Sequence, residues 1–187
     1  MQNEHDEMTT TGAGANLLPW MRALLTTTGA RWQRLTETLP HELLTRIPAP
    51  GEWSAVDCLR HLLETERYVF PVRIRAFLAG QDIAAFDPDE DQTGQAQETP
   101  AQLAAAFASA REENLVLLAR VTEADLDRTA KHSYHGLVTL REMLHEWAAH
   151  DLNHTIQAER ALMQPFIAGC GPWRPDFAEH VVQSASR

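Results

Sequence analysis

Apolar side chains recur at intervals of three and four residues in four separate stretches of the chain, which is the spacing of amphipathic helices. The first stretch spans residues 17–39 and ends at Pro40. The others span residues 54–80, 99–121 and 139–163. Since no stretch has a convincing strand pattern, the sequence predicts an all-α protein built as a four-helix bundle.

Three of these stretches begin with residues that cap helices. Ser54 lies three residues before Asp57, and Thr139 lies three residues before Glu142, which is the arrangement of a capping box. Thr99 offers a similar hydroxyl just before a proline at the first helical position. These signals predict where the second, third and fourth helices start.

Prolines predict where the helices bend or stop. Pro71 removes one hydrogen bond from the second helix, so we expect a kink near Val69. Three prolines within residues 40–50 favour an extended connection between the first two helices. Pro165 predicts that the fourth helix reaches Met163 and ends there.

The remaining segments are expected to connect or flank the helices. Residues 81–98 are acidic and lack a periodic apolar pattern, which predicts a long crossover loop. Residues 122–138 are expected to form a connection with at most one short helical turn. The predicted organisation is therefore a polar leader at 1–15, one bundle domain at 16–163, and an irregular tail at 164–187 packed on the bundle.

Composition agrees with one globular domain and excludes several classes of partner. The 187 residues are 44% hydrophobic and 22% charged, which is too apolar for a disordered chain. Acidic side chains outnumber basic ones by 26 to 16, and the resulting net charge of −10 repels phosphate backbones and anionic lipid surfaces. We therefore expect neither nucleic acid nor a membrane among the partners.

The chain also lacks features of a secreted or membrane protein. Its first fifteen residues have no basic region followed by an apolar run, and no stretch approaches the ~20 apolar residues of a membrane span. Cys58 and Cys170 are too few for a disulfide framework. These observations favour a cytoplasmic protein.

Two histidines on the fourth helix are candidate metal ligands. His150 and His154 lie one turn apart, on the same stripe as Trp147. Imidazoles in this arrangement can converge on one ion, although the pair alone also fits two polar residues on a wetted face. His61, near the start of the second helix, lies on a stripe distinct from the packing residues of that helix. It would supply a third nitrogen, or it is a surface or capping histidine.

Three stretches around these histidines form a recognisable pattern. They are Glu52-Trp53-Ser54 leading to His61-Leu62, then Thr139-Leu140-Arg141-Glu142-Met143-Leu144, then Glu146-Trp147-Ala148-Ala149-His150-Asp151-Leu152-Asn153-His154 with Gln157 after it. Together they resemble the DinB/YfiT superfamily over roughly residues 16–163. The resemblance implies a four-helix bundle that holds a divalent metal on His61, His150 and His154, often as a homodimer.

A metal held by three neutral ligands would keep a position open for water or substrate, as catalytic metals do. Such an ion lowers the pKa of bound water or acts as a Lewis acid. Two carboxylates are candidate general bases. Asp151 follows the first histidine of the pair as the glutamate does in zinc proteases, although it is one methylene shorter. The alternative base is Glu64, one turn after His61, and either carboxylate also fits a supporting or solvated role.

Other residues near the site receive a structural interpretation. His132 and His135 precede the fourth helix and fit solvated loop residues, so they are left outside the site. Cys58 fits a small buried side chain better than a ligand. Trp147 and Tyr68 are expected to line the pocket, although aromatic residues at helical spacing also fit plain core.

The sequence supports two hypotheses for function. The first is a metal-dependent enzyme, either a hydrolase or a transferase that uses a low-molecular-weight thiol, as the resemblance implies. Its metal would be zinc, nickel or iron, because imidazole suits each of them, and its substrate would be a small molecule. The second is a non-catalytic metal-binding or stress-related dimeric bundle.

Association of two chains is the last expectation. Trp20 and Trp32 lie on different faces of the first helix when read at ~100° per residue, so one of them is exposed unless a partner covers it. The alternative is that both belong to the core. With the resemblance, this predicts a homodimer of about 42 kDa, twice the 21.0 kDa chain, with the first helix in the contact.

Overall fold

The computed structural model describes residues 16–83 and 98–183. Its helices are α1 (Leu17–Thr38), α2 (His41–Thr45), α3 (Ala55–Tyr68), α4 (Phe70–Ala79), α5 (Pro100–Leu118) and α6 (Leu140–Gly169). Strands β1 (Thr129–His132) and β2 (Gly136–Thr139) precede α6, and 3-10 turns occupy Glu123–Asp125 and Gly171–His180. The predicted leader and most of the predicted crossover loop lie outside the described residues.

The four long helices α1, α5, α3 and α6 pack around one another in that cyclic order. This arrangement confirms the prediction of a mainly helical four-helix bundle. Side chains at the helix starts explain three of its boundaries. Ser54 with Asp57, Thr99 with Gln102, and Thr139 with Glu142 form reciprocal capping boxes at the starts of α3, α5 and α6. Among the described helices, none is both long and apolar enough to cross a bilayer.

The second predicted helix is divided in two. α3 ends at Tyr68 and α4 begins at Phe70, with Val69 at φ −108° and ψ −73° between them, and Pro71 lies in the first turn of α4. The break falls where the kink was predicted. Before α3, however, the expected extended connection contains the short helix α2, which begins directly after Pro40. Proline suits the position before a first helical turn, so this part of the prediction was wrong.

The prediction of no strand was also wrong. β1 and β2 form an antiparallel hairpin in which Thr129 pairs with Thr139 and His132 pairs with Gly136. The strands have only four residues each, so any alternation of apolar and polar side chains is too short to detect from sequence. A contact from outside supports the hairpin, because the backbone N–H of Ile83 donates to the carbonyl of Lys131 at 3.0 Å.

The fourth predicted helix does not end at Met163. α6 continues through Pro165 to Gly169, and the segment after it forms 3-10 turns instead of irregular coil. Gln164 ties the two together, since its amide donates to the carbonyl of His180 at 3.0 Å and accepts from the N–H of Val182 at 3.0 Å. These bonds hold the last turns of α6 in place despite the hydrogen bond that a proline removes.

The core consists of two apolar clusters separated by a layer of charged and polar side chains. One cluster includes Leu25, Phe70, Leu118 and Trp147, and the other includes Trp32, Leu59, Phe107 and Leu162. Between them lie four buried residues, which we call the polar layer: Glu66, Arg111, Asn114 and Asp151. Each long helix therefore passes from one apolar cluster to the other across the level of this layer.

Arg111 is the centre of the polar layer. Its guanidinium lies 3.0 Å from Glu66 Oε1 and 2.5 Å from Asp151 Oδ1, and it also donates to the carbonyl of Leu25 at 2.8 Å. Asn114 donates to Glu66 Oε2 at 2.8 Å. A buried charge is costly unless it is paired and hydrogen-bonded, and here one cation serves two carboxylates. The layer joins all four long helices directly beside the helical turn that carries His150.

Candidate metal centre

Helices α3 and α6 bring the three predicted histidines together. His61 lies in the second turn of α3, and its Nε2 is 3.0 Å from Nε2 of His150 on α6. One ligand nitrogen from each of His61, His150 and His154 can be chosen so that all three lie within 4.8 Å of one another. Two nitrogens bound to one ion at about 2.1 Å lie at most about 4.2 Å apart, and the 3.0 Å between His61 Nε2 and His150 Nε2 meets this limit. The donor set therefore fits a divalent transition metal.

A neighbouring side chain orients one of the rings. The side-chain oxygen of Gln157 lies 2.9 Å from Nδ1 of His154, so the neutral ring donates its Nδ1 proton and keeps its lone pair on Nε2. Nδ1 of His150 is buried, and among the described residues it has no hydrogen-bond partner. Orientation of that ring comes from packing instead, since the Phe70 ring meets it edge-on with centroids 5.5 Å apart.

The surroundings keep the imidazoles neutral. Burial, with a smaller contribution from His154, lowers the pKa of His61 from 6.5 to about 4. Burial followed by the charges of His154, His61 and Arg73 lowers the pKa of His150 to about 3. The pKa of His154 is also lowered, again mainly by burial. Only the neutral ring has a lone pair to donate, so these lowered pKa values favour the protonation state that metal binding would require.

The two candidate bases occupy different environments. Asp151 is fully buried, and one of its oxygens accepts from Arg111, so its carboxylate belongs to the polar layer. Glu64 is partly buried on α3, one turn after His61. Among the aromatic residues expected to line the pocket, Trp147 is fully buried and donates to Glu66 at 2.8 Å, whereas Tyr68 is half exposed. Trp147 is therefore part of the core.

Cys58 is fully buried on α3, as its interpretation as a packing residue requires. Burial, and then the charge of Asp57, raises the pKa of its thiol to about 12. The thiolate that a metal or an electrophile would need is therefore strongly disfavoured.

Trp53 was not assigned to the site by sequence reasoning, yet it covers the histidines. Its ring stacks on His154 with centroids 5.6 Å apart and lies 5.1 Å from the ring of His61. The residue precedes the cap of α3, and its position there suggested only a packing role against the first turn. The Trp53-Ser54 pair did contain a signal. A capping residue fixes the backbone just before the first helical turn, and this also fixes the direction of the side chain that precedes the cap.

Two cavities lie against α6, one on residues 142–146 and the other on residues 153–160, and the three candidate ligands are not among the residues that line either of them. The first, which we call the hairpin cavity, has a volume of about 360 Å³ and is lined by residues that include Arg73, His132 and Glu146. The second has a volume of about 560 Å³ and is lined by residues that include Trp53 and Gln157. Glu146, which lines the hairpin cavity, lies one turn before His150 on α6.

Comparison with known proteins identifies the family. The model of the DinB superfamily matches residues 24–158, which include all three histidines and most of the bundle. The chain belongs to the DinB superfamily. The resemblance noted in its sequence is thereby confirmed, and the DinB match contains both α3 and the histidine-bearing part of α6.

A solved structure has the same fold. YfiT from Bacillus subtilis, described as a probable metal-dependent hydrolase with an unusual four-helix bundle topology, superposes with a TM-score of 0.67. The alignment covers 88% of this chain and 94% of YfiT at 16% sequence identity, a level that supports the fold alone. No curated protein matches the chain.

Proposed function

We propose that this DinB protein is a metal-dependent enzyme that binds one divalent ion through His61, His150 and His154. The observation that carries the proposal is the convergence of three imidazole nitrogens, from three partly buried histidines, within 4.8 Å of one another. When bound, the ion would supply a Lewis acid able to activate water or stabilise a thiolate. The description of YfiT as a probable metal-dependent hydrolase supports the same class.

The residues around the ligands have separable roles. Gln157 holds the proton of His154 on Nδ1, and Trp53 shields one side of the ligand set from water. Asp151 forms a buried ion pair with Arg111, so we assign it a structural role beside the site. We propose Glu64 as the general base. The reaction is either hydrolysis of a small molecule or transfer to a low-molecular-weight thiol. Zinc, nickel and iron all suit the ligands.

Metal content is the first test. Protein purified without a histidine tag should carry one equivalent of a divalent metal by elemental analysis, and His61→Ala, His150→Ala and His154→Ala should each lose it. His145→Ala is the matched control, because His145 is an exposed histidine on the same helix. Full metal retention in His61→Ala would refute the ligand assignment.

Activity then separates an enzyme from a non-catalytic metal-binding or stress-related bundle. Metal-loaded protein should be assayed against esters, amides, and thiols paired with electrophiles. If it is an enzyme, Glu64→Gln should lower kcat by roughly a hundredfold with its metal retained, the scale typical of a general base. Metal-loaded protein that is inactive on the whole panel favours the non-catalytic alternative.

We also propose that the protein is a homodimer. Trp20 is 60% exposed on α1 while Trp32 is 1% exposed, so the two tryptophans do lie in different environments. An exposed tryptophan on a bundle helix is a candidate anchor for a two-fold contact. The proposal that the protein is cytoplasmic rests on its cysteine pattern, and both cysteines are free.

A further inference from the structure

The hairpin cavity contains a pair of hydrogen-bond donors that face each other. It lies between β1, β2, α4 and α6, and its volume is about 360 Å³. Its lining includes the apolar side chains of Ile83, Val138 and Met143 and the polar side chains of Arg73, His132 and Glu146. A mostly apolar cavity with a few convergent polar groups is the usual form of a small-molecule site.

The hydrogen bonds of His132 determine which nitrogen carries its proton. The side chain belongs to a residue only 7% exposed, and its Nδ1 accepts from the backbone N–H groups of Tyr134 at 3.0 Å and His135 at 3.2 Å. A neutral imidazole has one donor and one acceptor nitrogen. Nδ1 is the acceptor, so the proton is on Nε2, and Nε2 lies 3.5 Å from the Nη2 of Arg73. Two N–H donors therefore meet without an acceptor between them.

The Arg73 guanidinium has more N–H donors than it uses in hydrogen bonds among the described residues. Its side chain is 14% exposed, and among the described residues its acceptor is Glu146 Oε2 at 3.4 Å, a distance at the edge of hydrogen bonding. A guanidinium carries five N–H donors in a planar fork, which matches the two oxygens of a carboxylate. In a chain of net charge −10, a largely buried arginine in a cavity is a local attraction for an anion.

The position of the donors relates them to the metal ligands. Arg73 lies one turn after Phe70 on α4, and the Phe70 ring meets His150 edge-on at 5.5 Å. On the facing helix, Glu146 lies one turn before His150. A ligand held by Arg73 and His132 would therefore extend along α6 toward the histidines.

We propose that the hairpin cavity binds the carboxylate of a small substrate, with Arg73 and His132 Nε2 donating to its oxygens and Ile83, Val138 and Met143 packing against its apolar body. This inference names a substrate class and rests on the proposed function, since the bound molecule would present its reacting bond beside His150. A monoanion is favoured over a phosphate dianion because Glu146 lies next to the guanidinium.

Calorimetry with benzoate and its neutral isostere benzamide tests the proposal. Benzoate should bind roughly tenfold or more tightly than benzamide, and Arg73→Met should remove that difference. Arg75→Met is the matched control, because Arg75 is exposed on the same helix and its loss changes the net charge equally. Equal binding of the two probes, or an Arg75→Met variant as impaired as Arg73→Met, would overturn the proposal.

A second set of measurements separates this site from the metal. Benzoate should still bind to His61→Ala, and adding Arg73→Met to that variant should weaken the binding. If binding instead required the metal and were unchanged by Arg73→Met, the benzoate carboxylate would be bound to the ion, and the proposal would be overturned. In the unmodified protein, saturating the Met143 methyl should transfer magnetisation to the benzoate ring. This readout does not depend on how a variant folds. If the unmodified protein carried no metal but still bound benzoate through Arg73, the proposed function would be refuted and the carboxylate site would remain.

Discussion

Replacement of Arg111 by methionine is expected to destabilise the bundle more than any change of a surface charge. The guanidinium is 2% exposed and serves two carboxylates, Glu66 and Asp151, whose side chains are 1% and 0% exposed. Methionine keeps much of the packing on Phe107, whose ring lies 4.6 Å from the guanidinium carbon. The substitution therefore removes the charge and leaves most of the volume.

The expected cost follows from the groups left behind. Removing one partner of a buried ion pair costs about 3–5 kcal/mol, because the remaining charge is buried without compensation. Arg111 also donates to Leu25 O and Thr28 Oγ1, which lose those bonds. We expect a loss of about 4 kcal/mol in the free energy of unfolding, or about 8–16 °C in Tm for a domain of this size.

Urea unfolding followed by tryptophan fluorescence measures this loss, and Arg31→Met is the control. Arg31 pairs with Glu159, but the two side chains are 50% and 38% exposed, so its loss should cost about 1 kcal/mol or less. Adding Asp151→Asn to Arg111→Met should restore part of the stability, since one uncompensated carboxylate is removed. If Arg111→Met were as stable as Arg31→Met, the polar layer would not be the energetic feature inferred here.

Three further predictions concern the metal centre and association. Because burial lowers the pKa of His61 to about 4 and of His150 to about 3, the folded metal-free protein binds fewer protons than the unfolded chain below pH 6.5. Its stability should therefore fall as pH drops from about 6.5 toward 4, and urea titrations at stepped pH that stayed flat would contradict this. Gln157→Leu should weaken metal binding about tenfold in a chelator competition, since His154 loses the acceptor for its Nδ1 proton; unchanged affinity would exclude that role. Light scattering should give about 42 kDa, twice the 21.0 kDa chain, and Trp20→Glu should shift it toward the monomer; a monomeric wild type at rising concentration would end the dimer proposal.

The helices could be predicted from sequence because their signals are local. Apolar spacing and capping pairs such as Thr139 and Glu142 lie within a few residues of one another, and the structure contains those boxes. The pairing of His150 with His154 is local as well. His61 is 89 positions from His150, so periodicity alone could not bring it to the pair, and the family resemblance supplied that step.

The features that sequence reasoning missed depend on distant contacts. Glu66 and Arg111 look like ordinary helix charges until the two helices face each other and bury them. The hairpin residues around His132 are stabilised from outside the hairpin, through a bridge to Ile83, four residues after the end of α4. Pro165 stays helical because the following segment bonds back to Gln164. In each case a tertiary contact overrides a weak local preference.

The polar layer also bears on how the helices are aligned along their length. Apolar stripes tolerate sliding, since one leucine packs much like the next, but a slip of α6 by one turn, about 5.4 Å, would put Trp147 or Thr155 opposite Arg111 in place of Asp151. Arg111 would then keep Glu66 but lose Asp151, and His150 would move out of reach of His61. The polar layer therefore fixes the register of the helices. A chain that lost it would be free to occupy several helix offsets in which the three histidines do not meet.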